Sequence, residues 1–240
     1  MSSNFIYNRV LLKISGETLK GNLEFGYEGA AVDTVVKRVG AVVDEGLEIA
    51  LVVGAGNVWR GVMGSEWGMD RVTADYMGML ATVMNALCLR DAFNAAGFSA
   101  EVQTSIPMEP VAARYNRADA VKSLEEGKII IFAGGTGSPF FTTDTTATLR
   151  ALEIGADAVL KATKVNGIYT DDPMKNPDAE RYETLSYEEA LSKKLAIMDS
   201  TAFSMCRDND LPILVFDFFE ENSMEKVLSG DTTSATIVKN

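Results

Sequence analysis

The sequence predicts an α/β fold, a three-layer αβα sandwich with a mostly parallel central sheet. Two patterns carry that expectation. Short runs such as VLLKIS, IALVV, IIIFA and ILVF are apolar almost without interruption, as strands buried on both faces of a parallel sheet are. Longer stretches with helical spacing lie between them, and this alternation builds crossover units that put helices on both faces of one sheet.

Taken in order, residues 1–8 are expected to be a flexible N-terminal segment, followed by a single domain over 9–240. Strands are expected at 10–15, 48–53, 99–104, 128–133, 157–162 and 212–216. Helices are expected at 31–45, 74–96, 117–126, 143–154, 187–194, 199–209 and 221–228. Gly46, Gly97, Gly127 and Gly155 follow helical stretches, where a left-handed residue ends a helix without steric cost. Within 74–89 the only charge is Asp75, so this helix is either a central core element or one shared between the core and a second subunit. Segment 164–176, KVNGIYTDDPMKN, carries an Asn-Gly turn and reads as a hairpin or an excursion from the sheet.

Composition narrows the function. A chain of 240 residues with 47% apolar content can remove about 70% of its surface from water, so disorder is excluded for most of it. Two cysteines, Cys88 and Cys206, cannot make a disulfide scaffold or a four-sulfur metal site. With 22 basic against 34 acidic residues the net charge is −12, which argues against nucleic acid and anionic membranes as partners. The start lacks a basic stretch leading into a long apolar one, and the nearly uncharged run 76–89 is too short to span a bilayer, so a cytoplasmic protein is expected. No histidine is present, which excludes Ser–His–Asp and Cys–His chemistry and histidine-ligated zinc.

Ligands of open parallel sheets bind at the carboxyl ends of strands, and four loops there are unusual. Lys13-Ile-Ser-Gly16 puts a cation beside a glycine, which suggests phosphate; alternatively Lys13 is an edge-strand gatekeeper. Val53-Gly54-Ala55-Gly56-Asn57-Val58-Trp59-Arg60 is neither a dinucleotide fingerprint nor a Walker loop, but Arg60 offers a fork suited to phosphate oxygens. The third loop, 134–144 (GGTGSPFFTTD), joins three glycines, a proline, two aromatics and four hydroxyls ahead of a helix, which is more than a connection needs. In the fourth, 162–173, a tyrosine and paired aspartates beyond a strand end can hold a purine and a ribose, or merely shape a turn.

The motifs KISGE (13–17), GAGNVWRG (54–61), DYMGMLATVMNAL (75–87), GGTGSPFFTTD (134–144), LKATKVNGIYTDDP (160–173) and MDSTAF (198–203) resemble, in order, those of the bacterial uridylate (UMP) kinases of the amino acid kinase superfamily. The resemblance implies ATP and UMP as substrates, Mg²⁺ with ATP, a place in pyrimidine nucleotide biosynthesis and a homohexamer. It implies that Lys13, Ile14, Ser15, Gly16, Gly56 and Arg60 hold ATP phosphates, and that Thr163, Tyr169 and Asp172 contact the ATP nucleoside. For UMP it implies Ala55, Asp75 and the run Thr136, Gly137, Ser138, Pro139, Phe140, Phe141, Thr142 and Thr143. Lys13, Arg60, Asp144 and Asp199 are the implied catalytic residues, with Lys161 a further cation near the transferring group. No dedicated protein metal ligands are implied, the Mg²⁺ being held mainly by nucleotide phosphates. Ala55 departs from the family's three-glycine loop and requires a negative φ. GTP activation and UTP inhibition are also implied, with Arg90 on the effector surface, although Asn94 and Glu101 do not read as nucleotide-binding.

A phosphate acceptor with a second pKa near about 6 is already largely ionised at neutral pH, so a histidine-free enzyme needs no general base for it. The same holds for a carboxylate or carbamate acceptor, which keeps other superfamily activities as an alternative. A non-catalytic nucleotide-binding protein on the same fold is the second alternative.

Overall fold

Alternate residues of each central strand face opposite sides of the sheet, and both sides are apolar. Val10, Leu12 and Ile14 enter one buried cluster while Leu11 enters the other; Ile129, Ile131 and Ala133 separate in the same way from Ile130 and Phe132. A sheet buried on both faces requires a helical layer on each, which is the expected three-layer sandwich.

The computed structural model describes residues 5–240. Residues 1–4, half of the expected flexible segment, lie outside the described residues. Residues 5–8 are tied to the domain: Phe5 and Tyr7 pack on the core, and Ile6 N–H donates to the Leu228 carbonyl at 3.0 Å.

Eleven strands and nine helices occur among the described residues. The strands are β1 (Arg9–Ile14), β2 (Glu48–Val53), β3 (Ala100–Thr104), β4 (Ala113–Arg114), β5 (Ile129–Ala133), β6 (Ala158–Thr163), β7 (Ile168–Tyr169), β8 (Arg181–Tyr182), β9 (Thr184–Leu185), β10 (Ile213–Asp217) and β11 (Ala235–Val238). The helices are α1 (Glu17–Lys20), α2 (Gly29–Asp44), α3 (Gly61–Glu66), α4 (Arg71–Ala95), α5 (Arg117–Glu125), α6 (Thr143–Ile154), α7 (Tyr187–Ser192), α8 (Ser200–Asp208) and α9 (Ser223–Leu228). Nine strands form the main sheet in the order β4-β3-β5-β2-β1-β6-β10-β11-β9. All its ladders are parallel except β10 with β11.

The six expected strands are present, each within one residue of its expected ends. The expected helices are present as well, and Gly46, Gly97, Gly127 and Gly155 all have positive φ. In segment 164–176 the Asn166–Gly167 turn does not join paired strands. It precedes β7, which pairs antiparallel with β8, leaving 170–180 as a wide excursion between them. The expectation of an excursion is the one met.

Layering follows the burial pattern. Val32, Val35, Val36 and Val39 of α2 pack on one face with Val83, Ala86 and Leu89 of α4 and with α9. On the other face lie Ala147, Ala151 and Ile154 of α6, with residues of α5, α7 and α8. By length and composition α4 could cross a membrane, but it packs here against α2, α3, β2, β3 and β5.

Strands β2 to β5 build the sheet to one side of β1, and β6, β10, β11 and β9 build it to the other, while β7 and β8 form a separate pair. This reversal of winding direction opens a crevice at the carboxyl ends of β1, β2 and β6, where ligands of open α/β sheets bind. It also makes β1 a central strand, so Lys13 is not an edge gatekeeper.

Candidate active site

The site begins with sheet register. Lys13 of β1 lies directly opposite Lys161 of β6, and both share the face of Leu11 and Val159, which is covered by α6. Two ammonium groups side by side in a poorly solvated place repel strongly unless an anion lies between them. The first turn of α6 supplies it. Lys13 Nζ lies 2.8 Å from Asp144 Oδ1, and Lys161 Nζ lies 2.8 Å from Asp144 Oδ2. The Lys13 contact is an ion pair by distance and leaves Oδ1 without an aligned hydrogen bond. Lys161 also donates to the Ile197 carbonyl. All three side chains are largely buried, Asp144 being 13% exposed.

Burial acts to raise the pKa of Asp144, but the two ammonium groups outweigh it and hold the carboxyl below its ordinary range. Burial lowers the pKa of Lys161, aided by the Lys13 charge, while Asp144 and Asp199 resist. The cluster is therefore an ionised carboxylate between two cations.

Asp199 caps α8, accepting from the N–H groups of Thr201 and Ala202, both at 3.0 Å. It does more than cap. The hydroxyls of Thr142 and Thr145 donate to it, the latter at 3.0 Å, so Asp199 joins the starts of α6 and α8. Thr142 is in turn the N-cap of α6, accepting from Asp144 N–H at 3.1 Å and Thr145 N–H at 3.2 Å.

Three strand-end loops converge on this cluster. A Cβ at Gly16 would meet the Gly54 carbonyl at 2.3 Å and Gly56 N at 2.8 Å, so only a glycine lets the Lys13–Gly16 loop lie on the 54–57 loop. Thr143 Oγ1 approaches Gly54 from α6. Ala55 is not among the non-glycine residues with positive φ, so its methyl is tolerated. Ile14 is fully buried and offers only its backbone. Arg60 is half exposed and pairs with Glu17.

In the 134–142 loop, Gly134, Gly135 and Gly137 have φ of 74°, 58° and 81°, which accounts for the glycine pattern there. Phe140 also has positive φ, 72°, and its N–H donates to Asp75 Oδ2 at 2.8 Å. Arg71 holds the same carboxylate through both oxygens at 2.9 Å and lies over the Phe140 ring at 5.5 Å.

Two clefts flank the charged cluster. One, of about 170 Å³, is lined by Ala55, Asp75, Thr136, Ser138, Phe141, Thr142 and Thr143. The other, of about 650 Å³, is lined by Lys161, Thr163, Tyr169 and Asp172 and closed by the 193–197 segment. Around the second, Thr163 Oγ1 accepts from Val165 N–H at 3.2 Å, Tyr169 bonds Asn166, and Asp172 pairs with Lys175 at 3.2 Å. Of the residues the resemblance assigns to the two nucleotides, Thr163, Tyr169 and Asp172 line the wider cleft and Ala55, Asp75, Thr136, Ser138, Phe141, Thr142 and Thr143 the narrower, whereas Lys13 to Gly16, Gly56, Arg60, Gly137, Pro139 and Phe140 line neither.

Asn57, Asn85 and Thr82 are not among the expected site residues. Asn57 and Asn85 exchange side-chain amide hydrogen bonds at 3.0 and 2.8 Å, and Asn85 donates to the Gly54 carbonyl at 2.7 Å. Thr82 Oγ1 accepts from Gly134 N–H at 2.9 Å. Polar Thr82 and Asn85, three residues apart in the nearly uncharged stretch 76–89, were the available signal: buried polar groups there need partners, and these are the loop backbones.

No group of three or more His, Cys, Asp or Glu residues is arranged to hold a metal ion among the described residues. A family model described as the amino acid kinase family matches residues 8–217. A UMP kinase from Bacillus anthracis superposes with a TM-score of 0.93 at 37% identity, covering 97% of this chain and 96% of that one. A UMP kinase from Ureaplasma parvum gives 0.92 at 33% identity, covering 97% and 99%.

Proposed function

Because the chain belongs to the amino acid kinase family, we propose that it transfers the γ-phosphoryl group of ATP to UMP, giving ADP and UDP. One arrangement carries the reading: Thr142 and Thr143 line the narrower cleft, Lys161 lines the wider one, and Asp144, next in the chain after Thr143, pairs with both Lys161 and Lys13.

In this reading the wider cleft takes ATP, with Thr163, Tyr169 and Asp172 about its nucleoside and residues 13–16 with Gly56 along its phosphates. The narrower cleft takes UMP, with Asp75 at the nucleoside and Thr136 to Thr143 about the base and phosphate. The UMP phosphate is largely a dianion at neutral pH, so an oxygen attacks without a base. Lys13 and Lys161 stabilise the charge on the migrating phosphoryl group, Asp144 fixes both, and Asp199 fixes the start of α6. Arg60 exchanges Glu17 for a phosphate. Mg²⁺ bound with ATP supplies further charge neutralisation at the phosphates. The donor set fits a cation carried by the nucleotide, since Asp144 is engaged by ammonium groups and Asp199 by hydroxyl and N–H donors.

The proposal extends to a cytoplasmic enzyme of pyrimidine nucleotide biosynthesis that assembles as a homohexamer, is activated by GTP and inhibited by UTP. An exposed apolar stripe on α4, Tyr76, Leu80 and Met84 at successive turns, supports a subunit interface. Asn94 bonds Ala100 and Glu101 bonds Lys128 and Ser123, which leaves Arg90 as the effector candidate on this helix.

A coupled assay of ADP release tests the activity. UMP is expected to be the preferred acceptor over CMP and dUMP, with turnover abolished by chelation of Mg²⁺. Turnover of N-acetylglutamate, aspartate or carbamate without UMP would overturn the choice of substrate, and UMP binding without turnover would overturn the enzyme reading.

A further inference from the structure

A second buried charge lies beneath the 134–142 loop, outside the Lys–Asp–Lys cluster. Arg150 of α6 is only 5% exposed. Its guanidinium stacks on Tyr115 at 3.6 Å, pairs with Glu153, and donates from Nη2 to Ser105 Oγ at 2.8 Å. With that lone pair taken, the Ser105 hydroxyl directs its own proton to the Gly135 carbonyl at 2.7 Å. Tyr115 completes the ring of contacts by donating to Glu153 at 2.8 Å; burial and the Glu153 hydrogen bond push its pKa up to about 12, so it stays a donor.

The consequence lies on the other side of the Gly135–Thr136 peptide. In a trans peptide the C=O and the following N–H point in opposite directions. Drawing the Gly135 carbonyl down onto Ser105 turns the Thr136 N–H away from it. Thr136 lines the narrower cleft, and its N–H has no partner among the described residues.

We propose that Arg150 and Ser105 are positioning residues that lock the Gly135–Thr136 peptide so that its N–H is presented to an oxygen of the acceptor nucleotide. The inference rests on the assignment of the narrower cleft to UMP. Arg150 touches no substrate and acts through the Ser105 hydroxyl. The glycine at 135 adopts the left-handed φ this orientation needs, and Ser105 packs against the position a Gly137 side chain would occupy, at 3.2 Å.

Ser105→Ala in the full chain removes the link while leaving Arg150, Glu153 and Tyr115 paired. KM for UMP is expected to rise about three- to tenfold, the effect of one misplaced hydrogen bond, with KM for ATP unchanged. Arg150→Met is expected to give the same split, and the double variant to add nothing to the larger single effect. Equal rises in both KM values, no rise for UMP, or full additivity would overturn the inference. If Arg150→Met does not fold, Ser105→Ala alone decides. Wild-type chain that neither binds nor turns over UMP overturns the assignment of the cleft and this inference with it. Wild-type turnover of UMP with an unaffected Ser105→Ala variant overturns this inference alone.

Discussion

Asp144 is where the energetics of the site concentrate. A carboxylate held between two ammonium groups loses little by burial so long as both remain, and either lysine without it would be a poorly compensated buried charge. Lys13→Ala is therefore expected to lower kcat by about 10² to 10³, equivalent to about 3–4 kcal/mol of transition-state stabilisation, with a native circular dichroism spectrum. Because Asp144 titrates below its ordinary 3.8, its contribution to stability is complete above that value and is lost as pH falls through the lower, folded-state pKa. The urea-unfolding difference between wild type and Asp144→Asn is thus expected to be flat from neutral pH to about 5 and to shrink only below 3.8. A difference that changed near neutrality would show that another group controls the cluster. Gly16→Ala tests loop contact rather than charge: its methyl would lie 2.3 Å from the Gly54 carbonyl, so the loops must separate and kcat/KM for ATP is expected to fall.

Helix α4 both lines the narrower cleft, through Ala74, Asp75, Gly78, Met79 and Thr82, and braces the loops around it. Asn85 holds the Gly54 carbonyl and Asn57, and Thr82 holds Gly134 N–H, so one helix fixes two glycine loops. Replacing Asn85 by leucine strands these groups in a dry place, and about 1–3 kcal/mol of stability is expected to be lost for each one left unpaired, read from urea midpoints. The central strands and long helices were legible in the sequence because uninterrupted apolar runs and helical spacing are strong patterns. Strands β4, β7, β8 and β9 were not, since two-residue strands have no period to detect. Strand β11 was missed because its antiparallel place beside β10 is set by tertiary pairing, not by a pattern of its own. In the site, the glycine loops and Lys13 stood out as residue types in unusual places, while the roles of Asp144 and Asp199 came only from the family resemblance. That Lys13 and Lys161 face each other was hidden, because register between strands separated by most of the chain is not written in either one.

The molecule as a whole turns on β1, the strand from which the sheet grows in both directions and whose end carries Lys13. The two faces do different work: α6 on one side brings Asp144 and Thr142, while α4 on the other braces loops and leaves an apolar stripe uncovered. If that stripe is a subunit interface, Leu80→Glu with Met84→Glu is expected to reduce the assembly to smaller species by light scattering, with the helical content kept. Unchanged mass would place the interface elsewhere. The Phe140–Asp75 contact has its own bearing on how a nucleotide enters. The Asp75 carboxylate is engaged by the Phe140 main chain on one side and by Arg71 on the other. On the proposed reading, a ribose hydroxyl arriving at Asp75 trades one donor for another, releasing a bulky aromatic from an unfavourable backbone twist as it does so. Calorimetry would then register association as an exchange with little net heat from that carboxylate, the gain coming from a tip segment allowed to relax.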